Sequence, residues 1–402
     1  MAKNDNLTDF LVDVADAIRA KKGMTDKINP QDFSSEIASI EIGGGDAPAP
    51  VPSWTGHADA DGLRAIGWDD EDIAYYQANG VNWNEEDDEY HKVTDDNKEL
   101  YGVLTASNIS SYRDRIVYLP KIDTSGKTSV NSLFYNCTSL VAIPMLDTQK
   151  ATTMSSMFNN CYSLVSVPLL DTQNVTTMSS MFNGCYAITY IPQFNTQNVE
   201  NMNSMFYNCY SLATIPQLDT QNVTNMYSMF YNCYSLVGIP LLDTQKVTNM
   251  DSMFRGCYSL VGIPQLDTQG VTNMGSMFYN CYSLVGIPLL DTQKATTMSS
   301  MFSNCYSLVF VSLLDMQKVT SMSTMFGNCA SLVHVSLKNV KQSCQIDKSS
   351  KLSKESLLYI INNSAATSSI TIKLSAYAYT RLATDPDIVS ALRKHSNISI
   401  SQ

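Results

Sequence analysis

Positive charge is scarce in this chain. Its 402 residues hold 26 lysines and arginines against 38 aspartates and glutamates, a formal net charge of -12. A ligand that presents phosphates along a backbone needs a basic stripe, so nucleic acid is excluded as a partner. Histidine is scarcer still: His57, His91, His334 and His395 stand at no catalytic spacing from a serine, cysteine or acid. Phosphate loops, zinc-ligand clusters and dinucleotide fingerprints are also missing, and the chain does not read as an enzyme. No apolar run approaches the roughly 20 residues of a membrane span, so membrane insertion is not expected. The start, Met1-Ala2-Lys3-Asn4-Asp5-Asn6, lacks the basic segment, apolar centre and cleavage site of a secretion signal.

What the chain has is repetition. Cys137, Cys161, Cys185, Cys209, Cys233, Cys257, Cys281, Cys305 and Cys329 fall at a constant interval of 24 residues. Around each stands the same sentence: Asp147-Thr148-Gln149, Met154, Met157, Phe158, Cys161, Leu164, Val167 and Leu170 in a representative copy. A fixed period in this range indicates a solenoid, because each unit can bury its apolar side only against its neighbours. Columns headed by Leu164, Val167 and Leu170 match the spacing of a leucine-rich repeat, with a short strand near residues 165–169. Met154, Met157 and Phe158 are offset by three and four residues, which suits one helical turn behind the strand. The cysteines form a structural ladder, and burial in an apolar column favours free thiols over disulfides.

Residues 1–42 read as two short amphipathic helices, carrying Leu7, Phe10, Leu11, Val14 and Ile18, then Phe33, Ile37 and Ile40. They are too small to stand alone and read as an attachment segment. Residues 43–53, rich in Gly and Pro, form a linker. Residues 54–112 form a small acidic module with Trp54, Trp68, Tyr75, Tyr76 and Trp83 as core; Asp69-Asp70-Glu71-Asp72 opens a helix and presents a solvated acidic face. The solenoid spans 113–338 and opens on a truncated rung, residues 116–122. Residues 339–402 form a C-terminal cap with a helix near Leu357–Ile361, a strand at 369–374 and a last helix opened by Asp385-Pro386.

Two sets of positions invite a functional reading. The Asp column (Asp123, Asp147, Asp171, Asp219, Asp243, Asp267, Asp291, Asp315, with Asn195 as its break) should stack at about 5 Å. Either each carboxylate accepts N–H bonds from its own turn, or the column holds a row of cations such as calcium; no other cofactor is expected. The second set varies freely from copy to copy while the core columns hardly change. One strand position includes Tyr190, Phe310 and His334, and another, on the side assigned to the helical turn, includes Tyr135, Tyr207, Tyr231, Arg255 and Tyr279. Free variation marks exposure, which is either drift or a recognition surface anchored by aromatics. A uniform tyrosine column from Tyr162 to Tyr306 either joins that surface or shields the core with its hydroxyls in water. Asn174 and Asn222 match a glycosylation pattern as a by-product of the turn sequence.

The unit Asn222-Val223-Thr224-Asn225-Met226, Ser228-Met229-Phe230, Asn232-Cys233, Leu236 resembles the BspA-type leucine-rich repeat over a little more than half the chain. That resemblance implies a right-handed solenoid of short parallel strands and short helices with small α or α+β caps. It also implies recognition or adhesion on bacterial surfaces, with no catalytic residues to carry over. The N-terminal Leu7-Thr8-Asp9 to Ala15-Asp16-Ala17-Ile18-Arg19 is similar to helical leaders of phage tail and virion proteins. The stretches Gly67-Trp68-Asp69-Asp70-Glu71-Asp72-Ile73 and Asn82-Trp83-Asn84 resemble modules that precede such repeats in gut Bacteroidetes and their phages. A phage virion appendage is therefore expected: repeats contacting a host-surface protein or glycan, the N-terminal helices binding other virion proteins, and a homotrimer by analogy with fibres. A bacterial surface adhesin and a purely structural decoration protein are the alternatives.

Overall fold

The computed structural model describes residues 63–64, 67–78 and 104–402. The expected N-terminal helices and linker, His57, His91, Trp54 and Trp83 lie outside the described residues. From the truncated rung onward the chain is a parallel solenoid, one turn per 24 residues, with isolated parallel bridges linking equivalent positions such as Thr153↔Thr177 and Asn201↔Asn225. The opening rung is as expected: the Val141 N–H donates to the Val117 carbonyl at 2.9 Å, and Tyr118 bridges Ala142. Its period and buried aliphatic columns are those of a leucine-rich-repeat solenoid.

Each turn is tied to its neighbours by three strips of backbone bonds. Near Thr152 the N–H donates backward, to the Thr128 carbonyl at 2.8 Å. Around Val165 it again donates backward, to Val141 at 3.1 Å. Between these strips the direction reverses: Ser156, Phe158 and Asn160 donate forward to Ser179, Met181 and Asn183 at 2.9, 2.9 and 2.6 Å.

This middle strip is where the helical turn was expected, and there is no helix. Met157 N–H bonds the Met154 carbonyl and Cys161 N–H the Phe158 carbonyl, so two four-residue turns follow one another. Ser156 and Asn160, the third residue of each, have φ of 56° and 62°. A left-handed residue at that place is what a type II turn requires. Chained turns point residues 154, 157, 158 and 161 inward with the same three-and-four spacing as a helix, and spacing alone does not separate the two. The strands are also fewer than expected. Within the 24-residue repeats they form at the last two turns, β1 (Phe310–Asp315) and β2 (His334–Lys338), paired in parallel with an irregularity between Val311 and Leu314. Earlier turns keep single bonds at the same place.

The core is a set of columns. Phe134 to Phe326 stack ring on ring at 5.4 to 5.9 Å, each fully buried. Burial of one such ring stabilises by about 2–3 kcal/mol. All ten cysteines are buried and free, as expected. Each ladder thiol except the first donates to a phenylalanine carbonyl of the preceding turn, Cys161 to Phe134 at 3.1 Å for example. At the corner after the strand, buried Thr148, Thr172 and their successors donate to the next turn's carbonyl, at 2.9 and 2.8 Å for these two.

A different segment closes each end. Helix α1 (Asp70–Ala78) sits on the first turns: the Met145 N–H donates to Asp72 at 2.8 Å, Lys121 pairs with Asp69 at 2.8 Å, and the Trp68 indole donates to the Leu119 carbonyl. The acidic run is thus not one solvated face. Asp70 is exposed, whereas Asp72 is buried with its second oxygen unpartnered. At the other end the sequence period stops, but the solenoid does not. Strands β3 (Cys344–Ile346), β4 (Ile370–Leu374) and β5 (Ile398–Ser401) pair in parallel; Cys344 faces Ile372 and Ile370 faces Ile398, 28 residues on in each case. Here true helices fill the turn: α2 (Lys354–Asn362) capped by Ser353, α3 (Ala376–Leu382) capped by Ser375, and α4 (Pro386–Lys394) capped by Asp385. The sequence anticipates α2, β4 and α4; it does not announce β3, α3 or β5.

Candidate binding surface

Because Cys161 points inward, Tyr162 beside it must point out, and in-register stacking turns seven such tyrosines into one stack. Tyr162, Tyr186, Tyr210, Tyr234, Tyr258 and Tyr282 follow at 4.4 to 4.6 Å with rings within 9° of parallel. Tyr306 closes the series at 5.2 Å, tilted by 31°. Burial, then the hydroxyl of a neighbouring ring, pushes the Tyr210, Tyr234 and Tyr258 phenols above their ordinary value. Ring faces are spent on one another, so the stack offers edges and hydroxyls to solvent.

A second, shorter column runs beside it on the middle strip. Tyr207 and Tyr231 stack at 4.3 Å. Arg255 takes the next place, its guanidinium 5.4 Å from the Tyr231 ring centre and 4.4 Å from that of Tyr279. The Tyr207 phenol is pushed up to about 12 by burial first and by Tyr231 second. The Tyr231 hydroxyl acts electrostatically on both Tyr234 and Tyr258, and Tyr279 acts on Tyr282, which places the two columns side by side. Tyr135 lies at the start of the same column, with Arg113 stacked 5.6 Å from its ring centre.

The remaining anticipated residues are elsewhere. Tyr190, Phe310 and His334 lie on the Val165 strip, half-buried. Phe310 packs over Gly286, where a Cβ would come within 3.2 Å of its ring. His334 Nδ1 meets Ser353 Oγ at 3.2 Å at the cap of α2, and burial lowers the imidazole pKa. The structure thus gathers Tyr207, Tyr231, Arg255 and Tyr279 and does not join them to the other three.

The Asp column takes the first of its two readings. Gln149 N–H donates to Asp147 at 3.1 Å, Gln173 to Asp171 at 3.2 Å, and Gln197 to Asn195 at 3.2 Å, so an amide serves where a carboxylate usually stands. Among the described residues no group of three or more His, Cys, Asp or Glu is placed to hold a metal ion. Asn174 and Asn222 donate to Gln149 and Gln197 of the preceding turns at 3.0 and 2.8 Å, a turn role for both.

A further exposed surface lies outside the variable columns. A groove follows the Asp column, opening into cavities of about 970 Å³ near Gln217, Leu241 and Asp243 and about 590 Å³ near Gln265, Leu289 and Asp291. Leu241 and Leu289 on its edge, and Leu169 at the equivalent position of an earlier turn, are more than half exposed. The signal was available as one position alternating between Leu and Gln, since Leu is not expected at a site that also accepts Gln unless it is exposed.

Comparison with known proteins follows the repeats. Residues 128–241 and 237–340, together more than half of the chain, match the family described as Mycoplasma protein of unknown function, DUF285. The chain belongs to the DUF285 family. No curated protein matches this DUF285 chain. Among solved structures it is similar to a leucine-rich-repeat protein of T. pallidum, at 23% identity over 45% of this chain and 79% of that one, TM-score 0.34. It is also similar to leucine-rich-repeat proteins of Bacteroides ovatus (17% identity, 66% and 84% of the two chains, TM-score 0.25) and Eubacterium ventriosum (15%, 62% and 82%, TM-score 0.33).

Proposed function

We propose that this DUF285 chain is a non-catalytic recognition protein whose paired tyrosine columns contact a protein or glycan on a cell surface. The observation that carries this reading is the continuous stack from Tyr162 to Tyr306 flanked by Tyr207, Tyr231, Arg255 and Tyr279. Aromatic anchors held on a rigid frame pay little entropy on binding, which is why tyrosine and arginine dominate contact hot spots. In the finer reading the chain is a virion appendage attached through residues 1–42 and trimeric like a fibre. The likeness of that segment to phage leaders supports it, and mass photometry of the full chain tests the trimer. A second reading, an adhesin on a bacterial cell, is favoured by the Mycoplasma description of the family.

Flow-cytometric binding of the labelled full chain to a panel of gut Bacteroidetes strains and animal cells tests the recognition role. The chain is expected to bind at least one strain or cell type, and Tyr186→Ser with Tyr210→Ser to weaken binding about tenfold or more with an unchanged circular dichroism spectrum. Binding to no cell overturns recognition and leaves a decoration protein. Bacterial cells as targets favour the virion reading; animal cells favour the adhesin.

A further inference from the structure

The geometry points to Arg255 as the charge-reading centre of the aromatic face, and to an acidic glycan with isolated carboxylates as its ligand. This rests on the recognition role proposed above and names the chemistry recognised.

The nine equivalents of this position are Tyr135, Asn159, Asn183, Tyr207, Tyr231, Arg255, Tyr279, Ser303 and Gly327, so the column carries a single charge. In the repeats, the lysines at 150, 246 and 294 follow the Asp-Thr-Gln corner and Lys318 follows its Asp-Met-Gln equivalent, away from this column. The guanidinium carbon lies over the Tyr231 ring at 5.4 Å and over the Tyr279 ring at 4.4 Å, one from each neighbouring turn. A guanidinium carries its N–H donors in a fork that pairs with a carboxylate through two bonds. Stacking with two rings offsets the desolvation of a half-buried cation by about 1–2 kcal/mol. Among the described residues no carboxylate lies within ion-pair distance of Arg255. Asp251 is within its field, and burial raises that carboxyl's pKa while Arg255 lowers it.

The surroundings select the rest of the ligand. Tyr234 and Tyr258, stacked at 4.4 Å, feel the Tyr231 phenol, and the Tyr207 phenol feels the Arg255 charge, so hydroxyls of both columns share the field around the guanidinium. Because the stacked rings turn edges and hydroxyls outward, they suit a chain that brings a hydroxyl row of its own, not an apolar partner. One guanidinium among the nine positions of the column, with the next ring-stacked arginine at its far end beside Tyr135, matches sparse single carboxylates. A phosphodiester backbone would need a run of cations.

The test is titration calorimetry of the full chain with sialyllactose, hyaluronate, a glucuronic-acid-substituted xylan, neutral dextran and poly-glutamate, repeated for Arg255→Tyr and Arg255→Lys. Arg255→Tyr restores the commonest residue of the column and keeps the stack, so it should fold with an unchanged melting curve. Binding to at least one of the three acidic glycans, at least about tenfold tighter than to dextran, lost in Arg255→Tyr and partly retained in Arg255→Lys, is expected. Equal binding by the wild type and Arg255→Tyr overturns the assignment, as does binding to poly-glutamate without binding to an acidic glycan. Binding to none of the five also overturns it, while the cell-binding assay decides the recognition role independently.

Discussion

A left-handed residue is the smallest device on which this solenoid depends. Ser156, Asn160 and their non-glycine equivalents hold φ between 51° and 65°, which lets alternate N–H groups of the middle strip face the next turn. Such a conformation costs a non-glycine residue about 1–2 kcal/mol, and asparagine bears it best. Asn160 also donates to Asn136 at 2.9 Å, but Gly184 (φ 77°) interrupts the amide series. Gly184→Asn is therefore expected to leave the thermal midpoint unchanged or raise it, by extending the amide ladder. Gly184→Val, β-branched where φ is positive, should lower stability by about 2 kcal/mol in a denaturant titration. The thiols give a second prediction at this scale. Burial pushes Cys137, Cys329 and Cys344 up to about 12 from an ordinary 9.0. The folded state favours the protonated thiol, so its contribution is intact below pH 9 and declines as pH rises through 9 toward 12. Native protein at pH 8 should expose no thiol to a colorimetric disulfide reagent, and its melting temperature should fall above pH 9.

Among the elements, α1 shows how an acidic helix becomes a cap. Its first turn carries Asp70, Glu71 and Asp72, favourable at a helix N-terminus. Desolvation nonetheless raises the Asp72 pKa, ahead of the lowering effect of the Met145 N–H. A carboxyl raised in the docked state favours docking when protonated, so protection of the first turns should strengthen as pH falls through the range just above the ordinary carboxylate value. Asp72→Asn keeps an acceptor for Met145 and removes the buried charge. Hydrogen exchange around Met145 should then be slower at pH 7 and lose its pH dependence; faster exchange would refute this account of the cap.

As a molecule, the solenoid is a one-dimensional array whose stability is a sum over turns and their interfaces. Deleting residues 195–218, one whole period, should keep every column in register and yield a soluble chain with a slightly lower melting temperature. Deleting 195–206 sets phenylalanines against corners and should yield aggregate on size-exclusion chromatography. The two deletions compare lengths over the same stretch, so position does not confound the outcome.

The 24-residue interval by itself determined the stacking and the inward columns from Phe134 to Phe326, because a repeated side chain can only meet its own copy; the free thiols followed from the apolar character of the column that buries them. It also singled out the variable positions that hold Tyr207, Tyr231, Arg255 and Tyr279. The sequence did not say whether Met154 to Cys161 is a helix, since chained turns and a helix share one inward spacing and differ only in where the N–H groups go. Nor did it show that His334 is engaged by the cap of α2, or that Asp72 is buried, because both depend on contacts between segments without a common repeat. The last turns make the same point most plainly. Residues 344 to 401 keep parallel pairing at an interval of 28 with no repeated sentence, since backbone hydrogen bonding specifies a sheet whatever side chains it carries.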